Sequence, residues 1–193
     1  MTELDFFYAP DRATWRDWLA RHYDRAPGIW FIFYKKKTGQ PTLTYDEAVE
    51  EALCFGWIDS LPKALDDERH ALKFSPRKPR SVWSKPNKER VERLVANGLM
   101  TPVGLAKINA AQADGSWDAL NDSDALRVPD ELETALRANP TAYARFYAFS
   151  PGSRKQILYW IGSAKRPATR QARIEETVRL AALGKRANNP ADK

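Results

Sequence analysis

The fold is decided by the segment Glu51–Lys88, EALCFGWIDSLPKALDDERHALKFSPRKPRSVWSKPNK. This segment predicts the end of a helix, a two-stranded hairpin, a basic loop and the start of another helix. The hairpin strands are expected over 57–65 and 69–75, on either side of a short acidic turn. Pro76 and Pro79 exclude regular structure from the loop, because proline lacks a backbone donor and restricts the residue before it.

The sequence before this segment predicts two strands and two helices. Leu4–Tyr8 predicts an edge strand, and 29–34 (IWFIFY) predicts a central strand that is covered on at least one face. The helical spacing of tryptophan and leucine predicts a helix over 12–24. Thr44–Glu47 is a capping box that begins a second helix, and Gly56 suits the left-handed position that ends it.

After the basic loop the sequence contains only helix signals, each opened by a capping residue or a proline. We therefore predict an α+β fold, with a small antiparallel sheet and helices on one face, followed by a helical C-terminal module. The expected boundaries are 1–115 for the α+β domain, 116–127 for an acidic linker, 128–186 for the helical module and 187–193 for a frayed tail.

The composition is that of an ordinary globular protein, with 43% hydrophobic and 29% charged residues among 193. One cysteine excludes an intrachain disulfide, and two histidines far apart in the sequence predict no metal site. Glycine-rich phosphate loops and other catalytic motifs are missing, so we expect no cofactor and no catalytic residue. The N-terminal residues lack an apolar stretch and the longest apolar run is short, which predicts a cytoplasmic protein without a membrane span.

The net charge of +6 is concentrated in two segments. Residues 73–93 hold 8 basic and 2 acidic side chains, and residues 154–193 hold 10 and 3. The second segment contains a cluster in which three arginines share one helical face: Lys165, Arg166, Arg170 and Arg173. Such segments attract phosphates or anionic surfaces, but lysine and arginine also solvate ordinary helix faces. Both interpretations remain open.

Three features of the hairpin and loop predict a ligand site. Trp57 and Asp59 share one strand face, and an acid on an otherwise apolar face needs a partner. The loop carries cations between two prolines that stiffen it. A helix N-terminus follows, where free N–H groups favour an anion. The candidate ligand-binding residues are Trp57, Asp59, Arg77, Lys78, Trp83, Ser84, Asn87 and Lys88.

A structural role for the same residues is the alternative. Asp59 would then pair with Arg77 or Lys78 to hold the hairpin, and both tryptophans would belong to the core. A structure separates the two interpretations, because a small-molecule pocket requires Trp57, Asp59 and Trp83 to converge on a concave surface.

Four sequence segments resemble the YdeI/OmpD-associated family of bacterial proteins, some of which are labelled bacteriocin-protection proteins. The segments are EALCFGWID at 51–59, FSPRKP at 74–79, SVWS at 81–84 and AKRPATR at 164–170. The resemblance extends from about Phe7 to Arg186. The helical end, about 128–186, is similar to the defining C-terminal module of the family.

The resemblance implies no catalytic residue, cofactor or substrate, because none is established for the family. The matching motif residues are Gly56, Trp57, Asp59, Pro76, Arg77, Lys78, Pro79, Trp83, Ser84, Lys165 and Arg170. The family pattern often has glycine at the positions of Ser60 and Arg80, so the chain departs from it in the hairpin and in the loop.

Three functional hypotheses follow. The first is a non-enzymatic cytoplasmic protein that acts in bacteriocin or envelope-stress tolerance by binding an anionic ligand or a protein partner. The second is a nucleic-acid-binding module that uses the basic segments 73–93 and 154–186. The third is an enzyme that acts on a phosphorylated small molecule. The oligomeric state is not predicted.

Overall fold

The structure is a computed structural model that describes residues 4–192, and these divide into two compact units between Asp118 and Ala119. The first unit contains four strands and four helices of more than one turn within the described residues. In chain order they are β1 (Phe6–Tyr8), α1 (Arg12–His22), β2 (Ile29–Tyr34), α2 (Tyr45–Cys54), β3 (Trp57–Ala64), β4 (Arg69–Pro76), α3 (Lys85–Ala96) and α4 (Pro102–Ala113).

The strands form one sheet in the order β1-β2-β4-β3. The predicted α+β class and small sheet are confirmed, and the sheet is mixed because one of its three strand pairs is parallel. β1 pairs with β2 in parallel, whereas β2 with β4 and β3 with β4 are antiparallel. The reason is that α1 lies between β1 and β2 as a crossover, which returns the chain to a neighbouring strand in the same direction.

The core of the first unit lies between the sheet and helices α1 and α2. Ile29, Phe31 and Phe33 of β2 are buried and alternate with half-buried residues, as expected for side chains that point to opposite faces. The ring of Trp15 in α1 lies 4.8 Å from that of Phe31, and its indole N–H donates to the carbonyl of Ala48 in α2 at 3.0 Å. This hydrogen bond satisfies the one polar atom of a fully buried indole.

Helix α2 begins and ends as its sequence predicts. The hydroxyl of Thr44 accepts from the backbone N–H of Glu47, and the Glu47 carboxylate accepts from the backbone N–H of Thr44. Gly56 ends the helix at φ +70°, a left-handed conformation that glycine adopts without strain. This turn directs the chain into β3.

The second unit is helical. Its helices are α5 (Asn121–Asp124), α6 (Asp130–Arg137), α7 (Pro140–Ala148), α8 (Pro151–Gly162) and α9 (Pro167–Ala182). They bury a separate apolar core that includes Leu132, Leu136, Phe146, Ile157, Ile161 and Ile174. Part of the segment expected to be a linker, 116–127, is therefore helical.

The end of the chain is held by hydrogen bonds up to residue 192. Asp192 accepts from the side chain of Arg186 at 2.6 Å and from its backbone N–H at 3.0 Å. The tail predicted to fray, 187–193, therefore folds back on itself in its described part, and Lys193 lies outside the described residues. None of the helices within residues 4–192 has the length and apolarity needed to cross a membrane.

Gly104 in α4 is a highly restrictive packing position. A Cβ atom there would lie 2.4 Å from the carbonyl oxygen of Cys54 and 2.6 Å from the side chain of Met100. We expect Gly104→Ala to lower the free energy of unfolding by about 3 kcal/mol, because backbone must shift to admit the methyl group. Urea denaturation followed by tryptophan fluorescence measures this change.

Gly152 in α8 is the matched control, since a Cβ atom there meets nothing within 4 Å. Gly152→Ala should leave stability unchanged or raise it by up to about 1 kcal/mol, because alanine has the higher helix propensity. Equal effects of the two substitutions would show that α4 does not pack against the end of α2 as described.

Candidate functional site

The basic loop, residues 77–84, follows β4 and is hydrogen-bonded to the turn that ends α2. The backbone N–H of Arg77 donates to the carbonyl of Gly56 at 2.9 Å. Further along the loop, the N–H of Ser81 donates to the carbonyl of Lys78 at 3.2 Å. Arg80 has φ +59°, a left-handed conformation that costs a non-glycine residue free energy. Arg80 therefore holds a conformation that glycine would adopt without strain.

The side chain of Arg77 is the centre of the site. It is only 5% exposed, and its guanidinium carbon lies 3.6 Å from the ring centroid of Trp83. One terminal nitrogen, Nη1, makes all three of the hydrogen bonds that the described residues offer this side chain. It donates to the carbonyl of Ser81 at 3.3 Å, to its hydroxyl at 3.1 Å and to the carbonyl of Val82 at 3.1 Å.

The Arg77 guanidinium has no counter-ion among residues 4–192. Its Nε is buried without a hydrogen-bond partner, and no described carboxylate lies within the 4.0 Å of an ion pair. Burial lowers the pKa of Arg77 to about 10, and the charge of Asp59 counteracts the shift only in part. The group is still a cation at neutral pH. A buried cation of this kind is costly unless an anion pairs with it.

A small recess opens beside Arg77, and we call it the loop pocket. Its volume is about 90 Å³. The loop contributes one wall and the end of α4 the other. The lining residues are Arg77, Lys78, Pro79, Arg80, Ser81, Trp83, Lys107, Ala110, Ala111, Asp114 and Ser116. Four cations against one carboxylate give this lining a net charge of +3. A concave surface with one sign of charge concentrates anions.

The α4 side of the loop pocket adds polar groups that carry no signal in the sequence. Lys107 packs across Gly56, and a Cβ atom on that glycine would lie 2.6 Å from its Cγ. The backbone N–H of Ser116 donates to Asp114 at 2.9 Å, whereas the buried Ser116 hydroxyl has no partner within 3.5 Å among the described residues. The nearby hydroxyl and the backbone N–H of Ser116, together with the charge of Arg80, lower the pKa of Asp114.

Trp57 and Asp59 lie together on the helix-facing side of the hairpin, but neither lines the loop pocket. Trp57 is fully buried, and its indole N–H donates to the carbonyl of Tyr23 at 3.0 Å. The carboxylate of Asp59 accepts a hydrogen bond from the hydroxyl of Tyr45 at 3.0 Å. Its polar partner is therefore Tyr45 and not a cation of the loop. Burial and the Asp59 charge raise the pKa of Tyr45 to about 12. The expected convergence of Trp57, Asp59 and Trp83 on one concave surface is not found, because both indoles belong to the core.

The other predicted ligand-binding residues, Ser84, Asn87 and Lys88, do not line the loop pocket. Ser84 occupies the N-cap position of α3 but makes no side-chain cap hydrogen bond. Asn87 is buried and accepts from Arg90 at 2.9 Å. Lys88 lies 3.4 Å from Asp118. Of the predicted residues, the loop pocket therefore brings together Arg77, Lys78 and Trp83.

The second basic cluster is partly used inside its own unit. Arg173 donates to the Trp160 carbonyl and, at 3.1 Å, to the Ser163 hydroxyl, and its guanidinium carbon lies 5.0 Å from the Trp160 ring centroid. Arg170 forms an ion pair with Glu131 at 3.3 Å. Lys165 and Arg166 are exposed. Two of the four cations thus stabilise contacts between helices, which is a structural role.

The donor set of the loop pocket suits an anion. Guanidinium and ammonium groups supply N–H donors to oxyanions, whereas metal ions need carboxylate, imidazole or thiolate ligands. Within residues 4–192 no cluster of three or more such ligands occurs. Cys54 lies in the core, and burial raises the pKa of its thiol.

Two family models match separate parts of the chain. Residues 7–107 match a domain of unknown function, DUF8412, and this match includes the basic loop. Residues 125–184 match the family described as Bacteriocin-protection, YdeI or OmpD-Associated. The resemblance to that family is thereby confirmed for the helical module. No curated protein and no solved structure gives a significant match.

Arg80 allows a test of the loop conformation. Arg80→Gly and Arg80→Ala remove the same charge, but only glycine relieves the left-handed strain. We expect the glycine variant to be more stable to urea than the alanine variant by about 1 kcal/mol. Equal stability of the two variants would mean that position 80 does not hold a positive φ.

Proposed function

The chain belongs to the family defined by the DUF8412 domain, and from that premise we propose that its N-terminal unit binds an oxyanion, as free phosphate or as the phosphate group of a larger molecule, in the loop pocket. The observation that carries the proposal is the buried Arg77 guanidinium, which has no carboxylate partner among the described residues. An anion in the loop pocket would supply a charge opposite to those of Arg77 and the other cations that line it.

The size of the loop pocket limits what enters it. A volume of about 90 Å³ is small beside the roughly 300–1,000 Å³ of pockets that enclose whole drug-sized ligands. A tetrahedral oxyanion fits this space, whereas a whole nucleotide is too large. A larger ligand would therefore insert its phosphate group and leave the rest outside.

The proposed role is binding and not catalysis. The groups that line the loop pocket are cations, one carboxylate and two serines, with neither histidine nor cysteine among them. We further propose that binding serves tolerance of bacteriocins or envelope stress in the cytoplasm. The description of the family that the helical module matches supports a role in bacteriocin tolerance. The single free cysteine fits a reducing compartment such as the cytoplasm.

Thermal unfolding in increasing inorganic phosphate tests the proposal, with ionic strength held constant by chloride. Because the anion binds only the folded state, the free energy of unfolding should rise by about 1.4 kcal/mol for each tenfold increase above the Kd. Arg77→Met keeps an apolar side chain over Trp83 and should abolish this dependence. Lys78→Ala, at an exposed position, should weaken phosphate binding about two- to fivefold.

Lys36→Ala is the matched control, because it removes one exposed cation from the short 3-10 turn Lys36–Thr38, outside the loop pocket. It should leave the phosphate dependence intact. The proposal is wrong if phosphate has no effect beyond that of chloride, or if Lys36→Ala and Lys78→Ala reduce the effect equally.

A further inference from the structure

The face of the sheet that points away from α1 and α2 is unusually rich in aromatic residues. Side chains of paired residues share a face, so the register places Phe6 beside Trp30 and Tyr8 beside Ile32 on this outer side. The Phe6 and Trp30 rings are stacked 6.3 Å apart, and Phe6 is 44% exposed. A solvent-facing sheet surface is ordinarily polar. We call this surface the outer sheet face, defined by Phe6, Tyr8, Trp30, Tyr34, Lys63 and Lys73.

Two lysines lie among these rings. Lys73 is opposite Trp30 in the register, and the Nζ of Lys63 lies 4.9 Å from the ring centroid of Phe6 and 5.3 Å from that of Trp30. Lys63 reaches this side because a β-bulge between Asp59 and Pro62 inserts one extra residue into β3 and reverses the alternation beyond it. In the fully described strands β1–β4, no residue on this side is acidic.

We propose that the outer sheet face binds single-stranded nucleic acid. Unpaired bases would stack on Phe6 and Trp30, and the phosphates between them would contact Lys63 and Lys73. Aromatic side chains interleaved with cations on a sheet are suited to this ligand, because every base offers a ring face and every nucleotide a negative charge. A duplex hides its base faces and cannot stack on the rings.

The charge of the surface favours a nucleic acid over a second copy of the chain. An isologous contact through this face would bring together the lysine-bearing strand surfaces of two copies, which hold no acidic residue to pair with Lys63 and Lys73. Like charges in such a contact oppose association. A polyanion has the complementary charge. The site is separate from the loop pocket in its residues, so the two binding activities can be tested independently.

Fluorescence anisotropy of a labelled oligothymidylate of about 15 nucleotides tests the proposal at several salt concentrations. The full chain should bind the single strand more tightly than a duplex of equal length. Phe6→Ala should weaken binding at least about fivefold, because it removes a stacking ring at an exposed edge position. Lys63→Ala with Lys73→Ala should reduce the slope of log affinity against log salt by about 1.4, or about 0.7 for each phosphate that the protein no longer neutralises.

The matched control is Lys36→Ala with Lys37→Ala, which removes two cations outside the outer sheet face and should leave affinity and slope nearly unchanged. A cooperative urea unfolding transition of Phe6→Ala, followed by tryptophan fluorescence, would show that the variant is folded. The proposal is overturned if the single strand does not bind at low salt or if the duplex binds with equal affinity. It is also overturned if the control pair and the test pair of lysine substitutions change the affinity and the salt slope equally. A dimer in sedimentation that Phe6→Ala dissociates would overturn it as well.

Discussion

The N-terminal unit depends on how it accommodates one buried positive charge. Arg77 stacks on Trp83 in a site from which water is largely excluded, and its hydrogen bonds go to two carbonyls and one hydroxyl instead of a carboxylate. Neutral acceptors and a ring face stabilise a cation less than an ion pair does. The loop pocket lies beside it, and it is there that we propose an anion binds.

The fold holds this charge in position through backbone contacts. Gly56 ends α2 in a left-handed turn, and its carbonyl receives the N–H of Arg77. Gly104 lets α4 approach the end of α2 closely, which brings Lys107 over the same turn. Two chain segments that are far apart in sequence therefore form opposite walls of one recess. The left-handed turn at Gly56 and the absence of a side chain at Gly104 matter to the site as much as the charged side chains do.

Local signals in the sequence were sufficient for much of the secondary structure of this unit. The bounds of β2, the capping box at Thr44 and the role of Gly56 all follow from residues within one or two turns of each other. The parallel pairing of β1 did not follow, because it depends on the path of the chain through α1. The α+β class was therefore predictable, and the mixed sheet was not.

The candidate site was predictable only in part, for the same reason. The prolines and cations of the loop identified Arg77, whereas Lys107 and Ser116 reach the loop pocket through tertiary packing and carry no local signal. The sequence left two roles open for Trp57, because an aromatic residue on a hairpin face is equally compatible with a core and with a binding surface; in the structure it belongs to the core. The bulge that turns Lys63 outward is likewise visible only in the strand register.

The side-chain N–H resonances of Arg77 offer the most direct test of the central claim. In nitrogen-edited NMR spectra, added phosphate should shift them in a saturable manner, because the anion becomes the counter-ion of this guanidinium. Arg16, which already pairs with Glu51 at 2.7 Å, should stay unchanged in the same spectra. If the Arg77 resonances do not move while phosphate is added, or move no more than those of Arg16, the loop pocket is not an anion site.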